Sequence, residues 1–306
     1  MRALTYARYG GPDVLELTDR PLPKVPPGWV LVRVKSAAVN PVDWKIMAGG
    51  LDALMEVQFP VVPGWDVAGV VESVGIDVPE WSPGDEVIAY ARTDWVHGGT
   101  MAEYVALPSR LLGPRPVSVD WDRAAALPLA GLTAYQVLGR LQVAADETVL
   151  VHNASGGVGG HAVQLAAARG ARVIGTASEA NHDYLRGLGA EPVAYGEGLP
   201  ERVRALAPEG VDVVVDLVGG VVEQTLAVLK EGGRHASIAD DAVEAHGGTW
   251  MWVRPSAEDL AQVAGLVDRG VLRVELARSV PLEEAAEAYR LSAEGHVRGK
   301  IAVRIG

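Results

Sequence analysis

The chain has 306 residues, 39 acidic side chains against 27 basic ones, a formal net charge of −12 and no cysteine. The length suits about two domains, and the missing cysteine excludes disulfides, thiolate chemistry and every zinc site built on cysteine. The acidic balance argues against nucleic acid as a partner, since neutralising phosphates takes a basic surface, and no run of about 18 apolar residues exists to span a membrane.

The opening residues, MRALTYARYGGP, hold neither an apolar stretch nor a small-residue cleavage site, so a cytoplasmic location is expected. Residues 30–39 (VLVRVKSAAV) alternate apolar and polar and predict a half-buried strand. Residues 67–74 and 86–91 predict strands between Pro63-Gly64 and Pro83-Gly84-Asp85. Short strands at this spacing suggest a barrel-like, β-rich domain. Near residue 120 the rhythm changes, and 121–142 reads as helix. Strands then follow at 148–152, 172–176, 192–195, 211–217, 234–238 and near 249–253, with helices at 158–169, 181–188 and 221–229 between them. Runs such as Val213-Val214-Val215 fit a parallel sheet buried on both faces. Such βαβ alternation predicts a doubly wound sheet that binds ligands at the carboxyl ends of its strands. Helices at 256–270, with Ser256 as N-cap, and at 282–293 precede a last strand at 299–305. The expected organisation is an α/β chain. Residues 1–121 and 256–306 form the β-rich domain, and 122–255 form the doubly wound one.

The first strand of the alternating region runs into Ala154-Ser155-Gly156-Gly157-Val158-Gly159, and a helix follows. Against the dinucleotide-binding pattern GxGxxG, Gly156 lets the backbone approach a pyrophosphate and Gly159 lets helix and strand pack closely. NAD-binding domains place an acid roughly 20 residues further on to hold the ribose 2′-hydroxyl. Here the second strand ends Gly175-Thr176-Ala177-Ser178, with Ala177 where the acid is expected. A 2′-phosphate is repelled by a carboxylate and tolerated by alanine, so NADPH is favoured over NADH. Ser178, Asn181 and His182 are candidate phosphate contacts, although the loop has no Arg or Lys and includes Glu179.

Five segments together resemble one family: NPVDWKI at 40–46, PGWDVAGVVESVG at 63–75, PLAGLTAYQ at 128–136, VHNASGGVG at 151–159 and GHVRGKIAV at 295–303. They resemble the zinc-independent medium-chain dehydrogenase/reductases, in the branch of the NADPH:quinone oxidoreductases and enone reductases. The resemblance implies a GroES-like catalytic domain interrupted by a Rossmann domain, and a homodimer. It also implies a set of cofactor contacts. These are Asn40 and Thr133 near the nicotinamide, and Ser155, Gly156, Gly157 and Val158 around the pyrophosphate. Gly175, Thr176, Ser178, Asn181 and Tyr195 fall on the adenosine side. Leu217, Val218, Ser237 and Trp252 lie at the ends of later strands, and Lys300 lies near the phosphates or ribose. Plain alternatives stand beside several of these: Tyr195 as a strand cap, Trp252 as core, Lys300 as a solvated side chain.

The implied reaction is hydride transfer from NADPH to a quinone, or alternatively to an enone or enoyl double bond. A third reading is an NADPH-binding protein with little turnover. A quinone needs little acid catalysis, whereas an enone develops charge on its carbonyl oxygen that a donor would stabilise. Lys45 is the candidate donor, with a solvated surface lysine as the alternative. Asn40, Trp65 and Tyr90 are candidate substrate contacts; the two aromatics read equally as core. No metal site is expected. The histidines form no HExxH pair, and no GxSxG or GxxxxGK[ST] motif is present.

Overall fold

In the computed structural model, which describes residues 1–306, the chain begins one unit, leaves it to build a second, and then returns. Unit 1 holds Met1–Leu129, Pro255–Arg269 and Val274–Gly306; unit 2 holds Ala130–Arg254 and Gly270–Arg273.

The first unit opens with strands β1 (Arg2–Thr5) and β2 (Glu16–Asp19), an antiparallel pair. Strand β3 (Trp29–Val39) follows, then helix α1 (Pro41–Met47) and strands β4 (Asp66–Val74), β5 (Glu86–Tyr90), β6 (Tyr104–Pro108) and β7 (Leu112–Pro114). Helix α2 (Trp121–Ala125) closes this stretch, and α3 (Pro128–Arg140) starts at the boundary of the units. The sequence predicts one helix over 121–142. Two form instead, because Pro128 has no N–H to continue the first ladder and starts a new helix at its own N-terminus.

Unit 2 runs β8 (Thr148–Val151), α4 (Gly157–Ala168), β9 (Arg172–Ala177), α5 (His182–Gly187), β10 (Ala190–Ala194), α6 (Leu199–Leu206), β11 (Val211–Asp216), α7 (Val222–Val228), β12 (Leu229–Ser237) and β13 (Thr249–Trp250). The chain returns to unit 1 with α8 (Ala257–Asp268), β14 (Leu276–Pro281), α9 (Ala285–Glu294) and β15 (Lys300–Arg304). The division of units falls later than the expected break after residue 121, because α2 packs on β3 and β4.

The sheet of unit 1 has the order β14-β15-β3-β4-β5-β7, with β6 also paired to β3. Its centre, β3, is long enough to pair with three strands. The inward faces bury Val30, Val32, Val34, Val67, Val87, Leu107 and Val303. The sheet of unit 2 has six strands, all paired in parallel, in the order β10-β9-β8-β11-β12-β13. This is the doubly wound order in which direction reverses between β8 and β11. Leu150, Ile174, Val193, Val211 and Val214 fill one of its buried faces, with Leu199 and Val203 of α6 packed on them. No helix is long and apolar enough to cross a membrane.

Leu150 is fully buried in the central strand. Leu150→Ala is expected to lower the unfolding free energy by ~2–5 kcal/mol, read from urea denaturation.

Candidate functional site

In unit 2, the turns after β8 and β11 leave neighbouring strands, paired through Val151 and Val215, at the point where the strand order reverses. Such a point opens a crevice at the carboxyl ends of the strands. Asn153 adopts a φ of 54° and donates its N–H to Thr176 Oγ1 at 3.0 Å, tying the glycine turn to β9. A Cβ on Gly159 would lie 2.2 Å from the carbonyl oxygen of Asn153, so only glycine allows α4 to start this close to β8. Gly156 caps α4 without a side-chain hydrogen bond. The first-turn N–H groups therefore have no acceptor within the helix, and the helix presents its positive end. Ala177, at the end of β9, is buried and brings no charge. Ser178 Oγ accepts from Asn181 Nδ2 at 3.2 Å, and His182 buries Nε2 with no hydrogen-bond partner.

Sequence reasoning overlooked what shapes the other lip of the crevice. Asp216, buried at the end of β11, accepts the N–H groups of Val218 and Gly219 on Oδ1 at 2.9 Å each. Its Oδ2 accepts from Ser237 Oγ at 2.7 Å. That same Oγ accepts the N–H groups of Ala239 and Asp240 at 3.1 and 3.0 Å. The Ser237 hydroxyl is thus fully used inside the protein. It holds two loops together and has no bond left for a cofactor, which corrects its expected role. Behind this network His152 is buried, and burial lowers its pKa to about 4 against a smaller opposing pull from Asp216. Of the remaining expected contacts, Thr133 is buried on α3, Leu217 is buried, and Tyr195, Val218 and Trp252 are exposed beyond their strands. Ser155, Gly157, Val158, Gly175 and Thr176 lie on the glycine turn or the strand beside it.

In unit 1 the pairing register gathers a second constellation. Ala38 of β3 pairs with Asp66 of β4, and Val39 pairs with Ile301 of β15, so Asn40, Asp66 and Lys300 meet one step past the end of β3. Asp66 is fully buried. Its Oδ1 accepts from Leu129 N–H at 2.7 Å and its Oδ2 from Asn40 Nδ2 at 2.8 Å. Lys300 Nζ donates to Val39 O at 2.7 Å and to Asn40 Oδ1, and lies 3.5 Å from Asp66 Oδ2. Asp43 Oδ2 accepts from Asn40 N–H at 2.8 Å, and Pro41 at the first helical position starts α1 there. Burial lowers the Lys300 pKa and raises that of Asp66, and their attraction opposes both shifts. Burial raises Asp43 to about 7, partly offset by Asn40 N–H and Lys300. Lys300 is therefore neither solvated nor free to meet a phosphate; it is the counter-ion that fixes Asn40. The Asn40 amide keeps one N–H for a ligand.

Beside this cluster is a cavity lined by Tyr6, Asp43, Ile46, Trp65, Trp95 and His97, among others. Trp65 meets it, and Tyr90 stacks edge-to-face behind Trp65 at 5.9 Å between ring centroids. Tyr90 is therefore buried support rather than a lining residue. Lys45 is exposed, its ammonium 5.7 Å from the Trp44 ring centroid, and does not line the cavity.

Residues 26–117 match the alcohol dehydrogenase GroES-like domain model, and 188–303 match the zinc-binding dehydrogenase model. The NADPH-dependent alkenal/one oxidoreductase of Arabidopsis thaliana chloroplasts is 34% identical, over 99% of this chain and 79% of that one. The chain belongs to the medium-chain dehydrogenase/reductase family. Solved relatives include an NAD-dependent alcohol dehydrogenase (34% identity, TM-score 0.91, full coverage of both chains). The quinone oxidoreductase of Coxiella burnetii is 33% identical with a TM-score of 0.88, covering 100% of this chain and 99% of that one.

The family includes zinc enzymes, but the residues of this chain do not fit zinc. There is no cysteine, both oxygens of Asp66 already accept hydrogen bonds, and the Lys300 ammonium beside them would repel a second cation. A dinucleotide does fit: the glycine turn, the uncapped α4 and the uncharged end of β9 form a cradle for one.

Lys300→Met would leave Asp66 buried without its counter-ion and is expected to cost about 3–5 kcal/mol in urea denaturation, part of which Asp66→Asn in the same chain restores. Asp43 holds its proton more tightly folded than unfolded. It therefore stabilises the fold below its ordinary value of about 4, and that contribution is lost as pH rises towards about 7. Asp43→Asn should consequently gain thermal stability relative to wild type when measured at about pH 8 rather than about pH 5.

Proposed function

We propose that this chain is an NADPH-dependent, zinc-independent reductase that transfers a hydride to a quinone or to an α,β-unsaturated ketone or aldehyde. The observation that carries the reading is the crevice of unit 2. Its glycine turn brings backbone without side chains to the start of α4, as a pyrophosphate requires, and the buried Ala177 stands where an acid would repel a 2′-phosphate. The Ser178–Asn181 pair and the unpartnered Nε2 of His182 supply hydrogen-bonding groups in the same loop. The printed names of the relatives, an alkenal/one oxidoreductase and a quinone oxidoreductase, support both acceptor types.

When bound, NADPH supplies the hydride. The protein's own part is binding, orientation and exclusion of water. The N–H groups at the start of α4 hold a pyrophosphate. Asp216 fixes the backbone of Val218 and Gly219 on the opposite lip. Asn40, braced by Asp66, Lys300 and Asp43, offers its remaining amide N–H from a fixed position. Trp65, Tyr6 and Trp95 present aromatic surface to a flat conjugated carbonyl. We take the working form as a cytoplasmic homodimer, as the family resemblance implies for the assembly.

Anaerobic oxidation of NADPH with a panel of quinones and enones tests the reading, with NADH run in parallel. NADPH is expected to exceed NADH in kcat/KM by at least about tenfold, ~1.4 kcal/mol. Ala177→Asp is expected to reverse that preference. Turnover with neither acceptor class defeats the reading.

A further inference from the structure

The cluster in unit 1 buries two carboxyl groups, Asp43 and Asp66, against a single ammonium, Lys300. A net negative charge away from water is strongly unfavourable, so the cluster has reason to hold a proton. The hydrogen bonds say where. Both oxygens of Asp66 accept from donors, and a proton on either would displace one. Asp43 Oδ2 accepts from Asn40 N–H. Asp43 Oδ1 is buried and takes no donor at all. It is the one carboxyl oxygen of the cluster on which a proton displaces nothing. Asp43 is 3% exposed, yet it lines the cavity together with Tyr6, Trp65, Trp95 and His97.

We propose that Asp43 is the acid of this site, carrying a proton on Oδ1 and delivering it to the carbonyl oxygen of an α,β-unsaturated ketone or aldehyde held in the cavity. This rests on the reductase reading and assigns the proton that reading leaves without a source. The acceptor's β-carbon gains a hydride with its electron pair, and NADPH is oxidised to NADP⁺. The C=C pair moves to join the α-carbon and the carbonyl carbon, and the C=O π pair moves to oxygen. The Oδ1–H bond of Asp43 breaks as the new O–H bond forms. The products are an enol, which tautomerises to the saturated carbonyl compound, and an Asp43 carboxylate, which recovers its proton from water.

Helical geometry separates this role from Lys45. Two residues apart on α1 means about 200° of rotation, so Asp43 faces inward and Lys45 faces solvent. The groups around Asp43 favour the acid form on balance. Burial and the charge of Asp66 favour it, and Lys300 on β15 and Asn40 N–H oppose it. Tyr6 and Tyr289, the latter on α9, are kept neutral by burial and so add no charge. His97 is the other titratable lining residue, with Nδ1 bonded to Gln58 O at 2.7 Å.

Asp43→Asn preserves size and an acceptor for Asn40 N–H but removes the proton. With enones its kcat is expected to fall ~100-fold at neutral pH, with a smaller change in KM, and by at least about tenfold more than its kcat with quinones, so that the ratio of enone to quinone kcat drops. In wild type the ratio of enone to quinone kcat should fall as pH rises through about 7, and Asp43→Asn should flatten that ratio. Infrared spectra of the protein alone, at about pH 6 and about pH 8.5, should show a carboxylic-acid C=O band that disappears with rising pH and is missing in Asp43→Asn. Enone turnover unaffected by Asp43→Asn overturns the proposal. So does a pH break lost in His97→Gln or Lys45→Ala but kept in Asp43→Asn. Should Asp43→Asn not fold, a flat wild-type ratio, or no titrating carboxylic-acid band, overturns it. Wild-type protein that oxidises NADPH with neither acceptor defeats the reductase reading itself, and the acid role with it; active wild type with an indifferent Asp43 defeats the acid role alone.

Discussion

Lys300 brings a full positive charge to the end of β3, where water is excluded, and three parts of unit 1 are arranged around it. A buried ammonium is tolerable only if its hydrogens find acceptors and its charge a counter-ion. Val39 O and Asn40 Oδ1 provide the first, and Asp66 provides the second. The constraint then passes outward. Asp66 is held at the start of β4, Leu129 N–H is held against its other oxygen, and Asn40 is set at the mouth of α1. A zinc enzyme would gather its ligands through metal bonds. Here an ammonium performs the gathering, and it offers no open coordination position.

Unit 2 solves a different problem with the same economy of charge. Its crevice has to accept an anionic dinucleotide, yet one carboxylate, Asp216, sits just behind it. That carboxylate is turned inward and satisfied by two backbone N–H groups and a hydroxyl. It shapes the loop without presenting a negative face. The uncapped start of α4 supplies the opposite polarity from backbone dipoles alone.

What the sequence made legible was local. The glycine turn could be read because strand, turn and helix are contiguous, and Gly159 has a steric reason in the backbone of Asn153. The doubly wound, parallel character of the second sheet followed from the alternation of β and α segments, whereas its strand order comes from long-range pairing. The helix α6 escaped because it buries only Leu199 and Val203, starts after Gly198 and carries Pro200 in its first turn. The helix α1 escaped although its signals were present: Asn40 before Pro41, and Asp43 three residues on, form a capping pattern inside NPVDWKI. The long-range chemistry could not be read. Nothing local tells Lys300 that Val39 and Asn40 lie some 260 positions earlier, and its local sequence is equally compatible with a cofactor phosphate, a ribose or solvent. Ser237 was assigned to a ligand for the same reason, since its acceptor Asp216 lies on another strand. Asp43 shows the same limit, because its two oxygens differ only in the folded chain. Oδ2 fixes the start of α1 by accepting Asn40 N–H, and Oδ1 is buried without a donor.

The placement of that ammonium also bears on how the chain is made. Asp66 leaves the ribosome long before Lys300, and the whole of Ala130–Arg254 is synthesised in between. Unit 2 has all six of its strands in that one stretch, and domains generally fold as units. Unit 1 cannot. Until β15 arrives, its carboxylate has no counter-ion and β3 lacks one of its neighbours. The strands of the inserted unit are therefore complete first, whereas unit 1 lacks β14, β15 and the counter-ion of Asp66 until the last residues are made.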